Sequence, residues 1–240
     1  MRLTIPVTAF AVTLLAVACS STSTPAAPKP SAGSTSPAPV SPNAGLLTGT
    51  QLKALLAAAS WFPRGFTLDP QGSVDTGDYY QPVSPPGPLE CSRLSETSWV
   101  ELGNGGAVSF AQNDYIDQNA GQYGQEIDVY QGTTAEQVMA NLRKLATHCQ
   151  SFPDSQTSST VTVKLMKGPP LGDDALTIEL QNPAWEGDET DEAVRVGTAV
   201  VTVFFSAATG TGQAQATKLA AVLTANLKDF HAPDGTPAGG

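Results

Sequence analysis

The chain reads as an α+β domain, an antiparallel β-sheet with about three helices packed on one face and one disulfide. Three observations predict it. Two segments, Thr134–Cys149 and Gly212–Phe230, carry apolar residues at helical spacing. Between positions 108 and 180 apolar and polar residues alternate with a period of two, as in strands with one wet face. Two cysteines, Cys91 and Cys149, follow an N-terminus with the pattern of an export signal.

Residues 1–18 form that signal: Arg2 gives the positive start, an apolar run continues through Val17, and Ala18 precedes Cys19. A cysteine at the first mature position takes lipid, so Cys19 is the expected lipidation site; an ordinary cleaved signal with a chance cysteine is the competing reading. Two or three acyl chains would give stable attachment to the membrane where one would not. Residues 19–45 are almost entirely Ser, Thr, Pro, Ala and Gly, with Lys29 the one charge, and cannot bury enough apolar surface to order themselves. They read as a tether spanning roughly 30 Å as a coil and up to about 80 Å as polyproline II. Residues 46–230 are one domain's worth of chain, and 231–240 a Pro/Gly-rich disordered tail.

A first helix is expected over Gly49–Ser60, where Thr48 and Gln51 make a capping-box pair and Leu52, Leu55, Leu56 and Ala59 share a face. The segments 99–102 and 107–110 flank Gly103-Asn104-Gly105-Gly106, a hairpin signal. Strands follow around Ile127 and Val129, Val161 to Leu165, and Leu176 to Leu180. In the second helix Thr134 can cap, and Val138, Leu142, Leu145 and Cys149 lie on the buried face. The acidic run Glu186–Glu192 reads as a solvated hairpin loop, with a Ca²⁺ site the alternative. The stretch Val194–Phe205, apolar on both faces near Val200, reads as a central strand. The closing helix, Gly212–Phe230, presents Ala216, Leu219, Leu223 and Leu227 to the sheet.

In an oxidising compartment Cys91 and Cys149 read as a disulfide, worth about 4 kcal/mol by loop entropy. The alternatives, a catalytic thiol or a metal site, lack partners, since His148 adjoins Cys149 but points about 100° away on a helix.

A net charge of −10, with 22 acids against 12 bases and no clustered basic stripe, excludes nucleic acid as a partner. No G-x-S-x-G, Walker or H-E-x-x-H pattern occurs, and Gly210-Thr211-Gly212 lacks the third glycine of a dinucleotide fingerprint. With two histidines and carboxylate pairs such as Asp173-Asp174 expected to be solvated, no catalytic residue, metal ligand or cofactor is assigned, and the chain is read as a non-enzyme. The candidates for ligand contact are the loop aromatics Tyr79, Tyr80 and Trp185.

Several segments resemble the actinobacterial sensor-domain lipoproteins, whose fold is similar to the extracellular domain of PknH-type Ser/Thr kinases: Leu52 to Phe66, Leu171 to Ala175, Val194 to Val201 and the closing helix. Cys91 and Cys149 fall near cysteines that the family bridges. The resemblance covers most of 46–230 but brings no kinase domain, transmembrane helix or catalytic motif. It implies an α+β domain with a cleft for an extracellular ligand. The leading expectation is a lipid-anchored sensor-like module on the extracytoplasmic face of the cell membrane, binding a small molecule or cell-wall fragment. An envelope lipoprotein that docks another protein is the alternative, and a hydrolase the more distant one.

Overall fold

In a computed structural model the described residues are 41–83, 88–95, 106–207 and 212–230. Eight strands, β1 (Thr67–Asp75), β2 (Ser109–Ile116), β3 (Gln122–Val129), β4 (Ser151–Asp154), β5 (Ser159–Lys167), β6 (Asp174–Gln181), β7 (Glu189–Val196) and β8 (Ala199–Ser206), form one sheet in the order β1-β2-β3-β8-β7-β6-β5-β4. Every neighbouring pair is antiparallel. The helices are α1 (Gly49–Lys53), α2 (Thr134–His148) and α3 (Gly212–Phe230). The α+β class, the antiparallel sheet and the disulfide are as the sequence led us to expect.

Strand β8 is buried along both faces from Ala199 to Phe205, and this divides the helices between the two sides of the sheet. Register puts Val201, Val203 and Phe205 on one side, with Ile127 and Tyr123 of β3 and Val194 of β7; α1 and α3 cover it through Leu52, Leu219, Leu223 and Leu227. Val200 faces the other way with Ala193 and Leu176, and α2 covers that face through Val138, Met139, Leu142 and Leu145. So α2 does not share a face with α1 and α3: a strand apolar on both faces needs cover on both.

Two local expectations are corrected. Helix α1 keeps its capping box, Thr48 Oγ1 accepting from the Gln51 amide and Gln51 Oε1 from the Thr48 amide, but it stops at Lys53 rather than Ser60. The Gln125 side chain accepts from the Ala57 amide at 2.7 Å and donates to its carbonyl at 3.1 Å, which draws that backbone out of the helical pattern and onto the sheet. The run Val194–Phe205 is two strands, because Gly197, with φ of +58°, heads a two-residue turn between Val196 and Ala199. The backbone carbonyls of Val108, just before β2, and of Phe110 accept from the Gln81 and Thr76 amides, and the hairpin partner of β2 is β3, joined through a turn in which Asp117 Oδ1 accepts from the Asn119 and Gly121 amides. The expected partner at 99–102 lies outside the described residues, as do Cys19, most of the tether and the tail from 231.

Cys91, in a 3₁₀ turn over Cys91–Ser95, is bonded to Cys149 at the end of α2, with Cα atoms 5.5 Å apart and a sequence separation of 58. Arg143 of α2 adds a bidentate pair to Asp174 at the start of β6, one arm at 2.8 Å. Replacing Cys91 and Cys149 together by serine is expected to lower unfolding stability by about 4 kcal/mol, read from urea denaturation; a loss below about 1 kcal/mol would remove the bridge as the main support of this region.

Candidate functional site

The face under α2 is not covered evenly. Register lines up Gln122 of β3, Ser206 of β8 and Glu189 of β7 in one row across the strand ends, on the α2 side of the sheet. These three residues border a cleft of about 680 Å³, with Phe152 and Asp154 of β4 and Trp185 from the β6–β7 connection on its far wall. That volume is within the range of small-molecule sites. Ser92 and Ser95 of the 3₁₀ turn also line it, so the disulfide that fixes this turn to α2 also fixes one rim of the cleft.

Trp185 is placed by a buried asparagine. Asn182, 5% exposed, accepts from the Ala184 amide and the Ser159 hydroxyl and donates to Asp154 Oδ2 at 2.9 Å; the Trp185 amide closes the turn on the Asn182 carbonyl. The Trp185 indole Nε1–H donates to the same Asp154 oxygen at 2.9 Å. Asp154 also accepts from the Thr157 hydroxyl and the Gln156 amide. These bonds, Thr157 first, hold its carboxyl down to about 2, so it is ionised at any ordinary pH.

Glu189 has the opposite environment: burial pushes it up to about 7. The next residue on the same face, Asp191, is 2% exposed, and burial followed by the charge of Glu189 raises it well above the carboxylate range. In the row after Asp191, Glu126 of β3 stands opposite Thr202 of β8, and in the row beyond it Asp128 stands opposite Val200. Burial lifts Asp128 to about 7 against a hydrogen bond with Glu126, and raises the buried Tyr130 hydroxyl further with help from both charges. A string of acids thus runs inward from the cleft. The expectation that Glu186–Glu192 is a solvated loop is corrected here: from Glu189 onward it is strand β7, with Glu189 and Asp191 on the cleft face and Glu192 on the other, where it accepts from Thr217 of α3. Among the described residues no group of three or more His, Cys, Asp or Glu could hold a metal ion.

Of the expected contact residues only Trp185 lines this cleft. Tyr79 is 82% exposed, and the Tyr80 hydroxyl donates to the Leu46 carbonyl, where the chain joins β2 at Val108, at the end of β3 opposite Gln122. Trp61 belongs to the aromatic core, edge-on to Phe62 and Tyr123. Asp154 and Glu189 were missed because the pattern that marks them is a register across strands and leaves no motif.

No family model matches this chain, and no curated protein sequence does. Among solved structures it is similar to the extracellular domain of PknH from Mycobacterium tuberculosis, at 15% identity and a TM-score of 0.54, over 76% of this chain and 97% of that one. It is also similar to the Rv0999 ortholog from Mycobacterium smegmatis, at 11% identity and a TM-score of 0.41, over 74% and 96%. The chain has the fold of the PknH extracellular domain.

The buried acids set the direction of pH dependence. In the unfolded chain Asp128 and Glu189 release their protons near 4, whereas the folded protein holds them to about 7. Between those values the native state binds more protons, so stability falls as pH rises from about 4 to about 7. Asp154, Asp75 and Asp174, whose pKa values are lowered, act only on the acid side of that window. Thermal melts are expected to give a higher Tm at pH 5 than at pH 8, a gap that Asp128→Asn narrows; equal values would contradict the burial of these carboxyls.

Proposed function

We propose that this chain is an extracytoplasmic sensor-like module, tethered to the cell membrane through lipid on Cys19, whose Trp185 cleft binds a small molecule or a cell-wall fragment. The observation that carries the reading is the cleft itself, present on a fold shared with the extracellular domain of a kinase. Its rim is fixed by a disulfide and its aromatic wall by a buried hydrogen-bond hub, so the shape exists before any ligand arrives, which lowers the ordering cost of binding. Among the described residues no helix is long and apolar enough to cross a membrane, and the acyl chains on Cys19 supply the attachment in this reading.

Asp154 and Glu189 have pKa values pushed far apart within one cleft, an arrangement that hydrolytic pairs also use. Binding is the better account. Asp154 Oδ2 already accepts from Thr157, Asn182 and Trp185, so that oxygen serves the wall of the cleft and has no capacity for a nucleophile's or base's work.

Two measurements test the proposal. Labelled palmitate should enter the wild-type protein and not Cys19→Ser; label in the variant, or none in either, removes the anchor. Native mass spectrometry of protein purified from its own membranes should show a retained small molecule, with at least about tenfold less on Trp185→Ala at an unchanged Tm. Retention equal in the variant would move the site away from Trp185, and a protein partner in place of a small molecule would replace the sensor reading with docking.

A further inference from the structure

We infer that the cleft takes a neutral saccharide, one sugar ring laid on Trp185 and its hydroxyls turned to the hydroxyl and amide groups of the facing wall. This deepens the reading of the cleft as a binding site and rests on it. Two observations select the class. The first is what Trp185 has left to offer. Its indole N–H is already given to Asp154 Oδ2 at 2.9 Å, and its side chain packs against the α2-side core, yet it is only half-buried and borders the cleft. A ligand there meets a fixed apolar ring surface and not a hydrogen-bond donor.

The second is the division of the lining. Phe152 and Val161 join Trp185 on one wall, while Gln122 and Ser206 on the facing wall and Ser92 on the rim bring a carboxamide and two hydroxyls. Each of these groups both donates and accepts. A pyranose is divided the same way, with C–H groups on its faces and hydroxyls around its edge, so it satisfies both walls at once. Other classes fit less well. A lipid chain leaves the amide and hydroxyls without partners. An anionic ligand meets Asp154, Glu186 and Glu189, with no lysine or arginine among the described lining residues. A peptide strand has no continuous edge to join, because β4 carries Pro153 within its four residues.

The test uses the full-length mature protein in a detergent without a sugar headgroup, labelled with ¹⁵N at the tryptophan indoles and with the Trp185 signal assigned through Trp185→Phe. It is titrated with the neutral disaccharides maltose, cellobiose and N,N′-diacetylchitobiose, and separately with sorbitol, which has the hydroxyls and no ring. The expected result is a saturable shift of the Trp185 indole with at least one disaccharide and none with sorbitol. By calorimetry the affinity for that disaccharide falls about tenfold with Trp185→Leu, which keeps apolar bulk without a flat ring. It falls about fivefold with Gln122→Ala, a change at an exposed strand end that keeps the test open where the tryptophan variant does not fold; melting curves check both. Affinity unchanged in a folded variant of either kind overturns the assignment, as does a response to sorbitol equal to that of the disaccharides. No saturable response to any disaccharide also overturns it, and the retained-molecule measurement then judges the cleft independently. A retained mass matching a free sugar or a glycolipid supports it and tells the source.

Discussion

The burial of β8 on both faces is the constraint from which the other placements follow. A strand with no wet side must have a neighbour on each edge and a helix layer above and below. β3 and β7 supply the edges, α3 lies across one face, and α2 covers the β5–β7 half of the other. The cleft opens at the strand ends, beside Gln122, Ser206 and Glu189.

Legibility varied with the range over which each feature is determined. α2 and α3 were readable to within a residue or two, because helical periodicity is local and long, as with Val138, Leu142 and Leu145. α1 was overextended because its end is set by Gln125, a side chain 68 residues from the backbone it captures. β7 and β8 read as one strand because their apolar character is continuous through Val194–Phe205, and only Gly197 marks the turn. β1 and β4 were not foreseen: each is an edge strand with a proline inside it, and neither shows a clean alternation.

The candidate site was legible in one residue only. Trp185 was marked by its chemistry, whereas Glu189 and Asp191 were hidden in an acidic run whose charge density suggests solvent. Alternation within the strand separates them: Glu189 and Asp191 lie on the sheet face where the cleft opens, Glu189 at its edge, while Thr190 and Glu192 face α3. The pairing of Glu189 with Ser206, and of Ser206 with Gln122, is what converts three distant polar residues into one floor.

The two outermost strands have a bearing on how such a domain behaves when many copies crowd one surface. β1 carries Pro70 within a register shift between Asp69 and Val74, and β4 carries Pro153 within its four residues. Each proline removes an amide from an otherwise open rim, and the irregularity in β1 bends it out of plane. Growth of the sheet from one molecule into the next is thereby discouraged at both ends, so crowding would leave these domains as separate units.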